Sequence, residues 1–319
     1  MTTLIQKYTG NLALMHKVSL LKQNTIVIGV ILAVLSNVLF GVLYAYGKWM
    51  APLSGTQVFL WRMVMMWGCL ALFLAMTGKM AEFRAEIGAI KGIKSWLYLL
   101  VPTPILASQL WLFMWAPVNG QSIQVSMGYF LFPLAMVLAG FLVFRERLSR
   151  LQSLAVVLAA AGVAFEIYRT SGVSFATLWV CGTYPIYYVM RRKQGIRALT
   201  GLFFDLSIIA PICLIWIIST DAIDVASNGV LLAKAVGLGA ISVLAMATNL
   251  QAGRLLPVSL FGMLSYLEPV LLFFLSITVL GAVFSPSMLI SYGLIWLAVM
   301  CLIIQGVLTN RKKHDGKHT

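Results

Sequence analysis

Apolar residues in this chain come in long runs, separated by short basic, polar or proline-containing breaks. A helix needs about 20 apolar residues to cross the hydrocarbon layer of a membrane. Asn24–Gly47 carries no charge. Ser95–Phe144 is also free of charge and is long enough for two crossings, with Pro117-Val118-Asn119-Gly120 breaking it into a helical hairpin. Pro269–Asn310 is a further uncharged stretch, broken around Ser285-Pro286. The same reading of the remainder predicts ten spans, at 25–47, 56–77, 95–115, 122–144, 150–168, 173–190, 199–219, 231–252, 257–280 and 287–308. The expected fold is all-α, a polytopic membrane protein with ten transmembrane helices. Between spans two and three, Phe83, Ile87 and Ile90 share one helical face, which suits a short helix on the inner leaflet or a solvated connector.

Composition narrows the class. Of 319 residues, 61% are hydrophobic and 10% are charged. A soluble domain is closer to 45–50% apolar and about 25% charged, so a water-soluble enzyme is excluded. The net charge of +14 invites a nucleic-acid partner until the positions of the cations are examined. With the N-terminus inside, nineteen of the 23 Lys and Arg fall in cytoplasmic segments. Three fall outside, and Arg62 lies within a span. This is the positive-inside bias of a membrane protein. It puts both termini in the cytoplasm of a cell inner-membrane protein and makes nucleic acid unnecessary. The four cysteines lie in apolar runs without C-x-x-C spacing, and all three histidines are near the termini, so neither a metal site nor a His-based chemistry is expected.

Ten spans divide into halves of five. The expected organisation is a cytoplasmic tail over 1–23, one five-helix repeat over 24–170, a second over 171–309 and a basic cytoplasmic tail over 310–319. Pro133 in the fourth span aligns with Pro269 in the ninth, pairing Phe130 with Tyr266. An odd number of spans per half means the two halves insert upside down to each other. Such inverted repeats place a substrate site near the midplane, between the halves.

The stretch Ser126-Met127-Gly128-Tyr129-Phe130-Leu131-Phe132-Pro133-Leu134, followed by Arg145-Glu146-Arg147-Leu148 and Leu154 to Leu158, carries a family likeness. With weaker matches such as Trp61-Arg62, Arg191 to Lys193 and Ser259 to Gly262, it resembles the RarD-like permeases of the EamA branch of the drug/metabolite transporter superfamily. The likeness extends over nearly all of 25–309. It implies a ten-span inverted-repeat carrier and no particular substrate. There are departures. Gln57 and Gln124 stand where the family tends to carry Glu, Arg145 replaces the glycine of one Gly-Glu pair, and Gly281-Ala282 replaces another. Glu268-Pro269 fits the wider superfamily better than the RarD-like pattern.

Charges inside a span cost roughly 2.5 to 3.5 kcal/mol each on insertion scales, which makes Arg62, Asp205 and Glu268 candidates. Glu268 is too short to snorkel from its depth, so it faces a cavity, has a partner or carries a proton. Arg62 suits a substrate carboxylate or Glu268 as its partner. Glu268 and Asp205 are the expected coupling residues, with protons as the coupling ion; the alternative for Asp205 is an inner-gate or helix-cap contact. Tyr129 and Tyr266 flank the two proline breaks. Tyr44, Trp111, Trp115 and Tyr187 offer further rings for stacking or cation–π contact, and Gln124 a hydrogen-bonding amide. Gln57, Asn37, Gln109 and Asn249 offer similar amides, and Glu166 and Lys48 fit solvated interfacial roles near the outer ends of their spans. No G-x-x-x-x-G-K-[S/T] motif is present, so no nucleotide cofactor is expected and a gradient or a partner must drive any transport. The expected function is a secondary transporter, exporter or exchanger, for a small organic metabolite such as an amino acid. The rivals are a flippase for a lipid-linked amphiphile, a membrane scaffold and, least favoured, a membrane enzyme.

Overall fold

A computed structural model describes residues 24–43, 46, 49–116, 122–170, 174–220, 224–271, 286 and 288–315. The predicted tails 1–23 and 316–319, together with Tyr44, Lys48, Ala282 and most of the end of the predicted ninth span, lie outside them. All regular structure among the described residues is helical. The helices are α1 (Asn24–Leu43), α2 (Gly55–Met76), α3 (Met80–Gly88), α4 (Ile93–Leu100), α5 (Pro102–Trp115), α6 (Ser122–Phe144) and α7 (Arg150–Thr170). They continue with α8 (Phe175–Gln194), α9 (Ala198–Ser219), the single turn α10 (Asp224–Ser227), α11 (Gly229–Leu255), α12 (Val258–Leu264) and α13 (Met288–Asp315).

Among the described residues, six helices are long and apolar enough to cross a membrane: Asn24–Leu43, Gly55–Met76, Ile93–Trp115, Arg150–Arg169, Ala198–Ser219 and Gly229–Leu255. Gly128–Phe144, Val258–Leu271 and Leu289–Gln305 are shorter apolar helices. α8 is comparable in length but ends in Arg191, Arg192 and Lys193 and carries Tyr184, Tyr187 and Tyr188.

The sidedness of these helices is that of a lipid-bathed bundle. Ile31, Leu72, Leu142, Val157, Ile215 and Val230 are exposed, whereas Arg62 and Asp205 are fully buried. A soluble protein would expose the second set and hide the first. Inside, small residues let backbones close together. A side chain on Gly239 of α11 would lie 2.6 Å from the Met65 carbonyl carbon of α2. That closeness brings Ser242, one turn further along α11, against Arg62.

Pro269 interrupts the chain after α12. Lacking an N–H, it leaves the Ser265 carbonyl without its normal helical donor. The Glu268 amide takes that carbonyl instead, at 3.2 Å, in a tighter i to i+3 bond. The Leu264 carbonyl, released by the same shift, accepts from the Asn37 amide of α1 at 3.3 Å. Glu268 therefore sits on a locally rewound segment.

The N-terminus of α12 is held from outside. Glu146, just past α6, accepts from the Val258 and Ser259 amides at 2.7 and 2.8 Å. Because the N-cap is Pro257, three N–H groups at this helix start lack an intrahelical partner, and two of them are thereby satisfied, while the negative charge meets the positive end of the helix dipole. Replacing Glu146 by Ala should lower stability by about 1–2 kcal/mol, the usual scale for loss of a cap. Denaturant titration of the purified protein reads this directly, and an unchanged midpoint would show the cap to be idle.

One expectation changes and another gains detail. Glu166 is buried rather than interfacial and solvated: it pairs with Arg169 and accepts from Ser291, tying α7 to α13. A buried carboxylate persists only with such partners. The connector helix forms as α3, but its Phe83 packs edge-on against Phe203 of α9 at 4.8 Å, and Glu82 and Glu86 pair with Arg197.

Candidate functional site

A polar cavity lies deep in the bundle. It is lined by Phe40 of α1, Arg62 of α2, Gln109 and Phe113 of α5, Tyr129 and Phe132 of α6 and Tyr184 and Tyr188 of α8, with Asn249 of α11 and Ser265 and Glu268 after α12. Space open to the centres of water molecules is about 30 Å³, enough for roughly two waters. A metabolite enters only if the helices part.

Arg62 dominates the electrostatics. Its Nε donates to Ser242 Oγ at 2.8 Å, and its guanidinium lies 5.8 Å from the Phe113 ring centre. Nη1 and Nη2 are buried and have no hydrogen-bond partner among the described residues. Leaving charged donors buried and unpaired is expensive. The Glu268 carboxylate lines the same cavity yet forms no ion pair with Arg62 among the described residues. A fixed cation with two free fork nitrogens and a separate carboxylate thus face one small space.

Aromatic rings form the walls. Tyr129 meets Phe113 at 6.0 Å and Tyr184 at 6.5 Å, both near-perpendicular, and Tyr184 is 5.0 Å from Phe132. The two edge-to-face contacts of Tyr129 and the tilted Phe132–Tyr184 contact set the ring orientations. Tyr188 donates to Asn249 Oδ1, and Asn249 Nδ2 donates to Ser36 Oγ at 3.2 Å, which anchors that wall to α1.

The structure brings together only part of the set expected from sequence. Arg62, Tyr129 and Glu268 line the cavity. Tyr187 does not: its hydroxyl donates to Asp205 Oδ2 at 3.3 Å. Asp205 also pairs with Arg191 and accepts from Thr103 Oγ1 at 2.6 Å. Trp111 and Trp115 stack on each other at 4.9 Å and line a lateral groove with Trp179. Tyr266 is buried in a separate apolar cluster with Phe130 and Met263. Tyr44 and the Gln124 side chain are outside what the structure describes.

Sequence reasoning missed Ser242, Tyr184 and the structural role of several arginines that it had assigned to the cytoplasmic side. Arg191 is 7% exposed and belongs to the Asp205 cluster. Arg192 donates to the Gly253 and Leu256 carbonyls at the end of α11. Arg254 donates to Gly195 and Ile196 just after α8. Each helix thus has its C-terminal carbonyls covered by an arginine from the other, a pairing that the dipoles favour. Counting charges by side of the membrane hides such contacts.

A bundle of lipid-facing helices around a narrow, charged, ring-walled cavity defines a multi-pass membrane protein with a polar interior. Comparison with known proteins gives the particular kind. Residues 27–168 match the EamA-like transporter family. A transporter of Haemophilus influenzae is 39% identical over 299 residues, covering 91% of this chain and 98% of its own. The chloramphenicol-sensitive protein RarD of Pseudomonas aeruginosa is 37% identical, covering 85% of this chain and 92% of its own. A crystal structure of a protein with 17% identity superimposes with a TM-score of 0.65, covering 88% of this chain and 98% of that one. The chain belongs to the EamA-like transporter family, as a RarD-like permease of the inner membrane.

Proposed function

We propose that the chain is a secondary transporter, an exporter or exchanger, that moves a small organic metabolite by alternating access between two inverted halves, 24–170 and 171–309. Both termini face the cytoplasm. The observation that carries this reading is the cavity itself, where Arg62 and Glu268, neither satisfied by the other, face one space lined from both halves. The pairing of helices supports the inverted arrangement. α2 packs on α9, α6 on α12 and α7 on α13, so the second, fourth and fifth elements of one half each meet their counterpart in the other. An axis relating two halves requires such self-matching contacts. Glu268 is the proposed proton-coupling residue, and the Asp205 cluster is a brace on the inner side.

The test uses proteoliposomes loaded with a cell metabolite extract, with efflux followed by mass spectrometry. An imposed pH gradient should accelerate loss of the transported solute several-fold, and Glu268→Gln should abolish that dependence. Equal rates with and without a gradient in the wild type would refute proton coupling. Retention of every solute would refute transport.

A flippase for a lipid-linked amphiphile is the second reading. Its support is the groove along α5 and α8, where Trp111, Trp115, Phe175 and Trp179 border about 600 Å³ open to water centres. Scrambling of a fluorescent lipid in the same vesicles would favour it.

A further inference from the structure

A larger recess shares no lining residue with the central cavity. It is bounded by α1, the corner between α2 and α3, the start of α9 and the end of α11, with about 680 Å³ open to the centres of water molecules. Along α11 it runs from Arg254 to Val243, about 16 Å at 1.5 Å per residue. That is close to the roughly 15 Å of hydrocarbon in one leaflet. Its two ends differ in chemistry. Lys79, Arg197, Thr200 and Arg254 lie at the helix ends, and Leu32, Val243, Leu244 and Ala247 lie deeper. Leu244 is 56% exposed, so the apolar trough opens on the lipid-facing side of the bundle.

The polar end is short of negative charge. Arg197 is paired with Glu82 and Glu86, whereas Lys79 and Arg254 have no carboxylate partner among the described residues. Arg254 bonds instead to the Gly195 and Ile196 carbonyls, which leave its charge in place. The start of α9 is uncapped at this same end. Its N-cap, Arg197, makes no side-chain bond to the helix, and the first turn holds no acid. The amides of Ala198, Leu199 and Thr200 therefore lack intrahelical partners, and all three residues line the recess. Thr200 is 4% exposed, and its hydroxyl has no hydrogen-bond partner among the described residues. Cations beside the positive end of a helix dipole are unfavourable, and an anion bound among them removes the conflict.

We propose that the recess holds an anionic phospholipid, with its phosphate on the α9 amides and the Thr200 hydroxyl between Lys79 and Arg254, and its chains along Leu32 and Leu244. The trough selects a lipid over free phosphate, because only a lipid covers its apolar wall. Charge excludes residues 1–23 as the occupant: they carry Lys7, Lys17 and Lys22 and no acid, and would meet a basic rim. Under the orientation proposed above the lipid comes from the cytoplasmic leaflet, whose anionic headgroups attract basic residues. This goes beyond the transport reading and needs no solute in the central cavity.

The experiment measures lipid binding to the purified, delipidated full-length protein in detergent, by native mass spectrometry and melting curves. The probes are phosphatidylglycerol, phosphatidylcholine, diacylglycerol and glycerol 3-phosphate. A single phosphatidylglycerol should bind and raise the melting temperature, about ten-fold or more tighter than phosphatidylcholine or diacylglycerol. Glycerol 3-phosphate, which has the phosphate and no chains, should not saturate the protein. Lys79→Gln changes an exposed side chain and should weaken phosphatidylglycerol about five-fold, the scale for one basic residue near an anionic headgroup. Thr200→Val keeps the shape, drops the hydroxyl and should weaken it about three-fold or more. Lys91→Gln removes an exposed cation just after α3, outside the recess, and should change nothing. Equal losses from Lys79→Gln and Lys91→Gln would make the attraction a property of the whole basic face and overturn the site. So would equal binding of phosphatidylcholine or diacylglycerol, which removes the anion from the argument. Binding of glycerol 3-phosphate as tightly as phosphatidylglycerol would make this a free-phosphate site and overturn the lipid.

Discussion

Arg62→Met should leave the protein folded, with a melting temperature equal to or above that of the wild type, while reducing transport at least a hundred-fold. Arg62 is fully buried, and its side chain donates to Ser242. Its two terminal nitrogens have no partner among the described residues. A guanidinium held this way destabilises the resting protein, because its desolvation is not offset. Methionine fills much of the same volume without charge, and Ser242 can turn its hydroxyl to the carbonyl one turn back. The functional loss follows from the same nitrogens. Two charge-assisted hydrogen bonds to a carboxylate contribute about 1.5–3 kcal/mol each, and about 1.4 kcal/mol is ten-fold in affinity. Arg62→Lys keeps the charge but not the fork and should fall between the two. Melting curves together with proteoliposome flux separate the cases. A Met variant that transports normally would remove Arg62 from the site, and one that fails to fold would make it a brace.

Asp205→Leu should do the reverse, lowering stability by about 3–5 kcal/mol, the scale for removing one member of a buried pair. Asp205 is fully buried among Arg191, Thr103 and Tyr187. The substitution leaves the Arg191 guanidinium in place with its countercharge gone. Adding Arg191→Met should recover at least half of the loss, since replacing a whole buried pair by apolar residues is often near neutral. Denaturant titration of the two single variants and the double variant completes the cycle. If Asp205 instead exchanges protons during transport, Asp205→Leu will melt like the wild type but lose its response to a pH gradient.

These two residues looked alike in sequence: each is an ionisable side chain inside an apolar run. They differ in what the fold delivers to them. Arg191 ends one helix and Asp205 lies inside the next, and the turn between α8 and α9 folds the arginine back onto the carboxylate. Nothing among the described residues is carried onto the Arg62 fork. Only the crossing of helices settles which charge is satisfied. Gln109 is a similar case. As one of several amides in apolar helices it had no claim over Gln57 or Asn37, until Thr183 and Trp179 fixed which end of the amide meets the cavity.

Sequence alone determines that this chain is a bundle of apolar helices, because run length and charge density are set by the solvent the chain must live in. It also marks the proline breaks and the rare buried charges, since both are costly enough to stand out locally. The motifs around Tyr129-Phe130 and Glu146 suffice to suggest the family. Partnership is decided elsewhere. That Glu146 caps α12, that Arg192 and Arg254 cover each other's helix ends, and that Tyr187 serves Asp205 while Tyr129 serves the cavity depend on residues far apart in the chain. Hydrogen bonds and ion pairs act over about 3 Å, so they are governed by how helices cross, and no local pattern encodes that crossing.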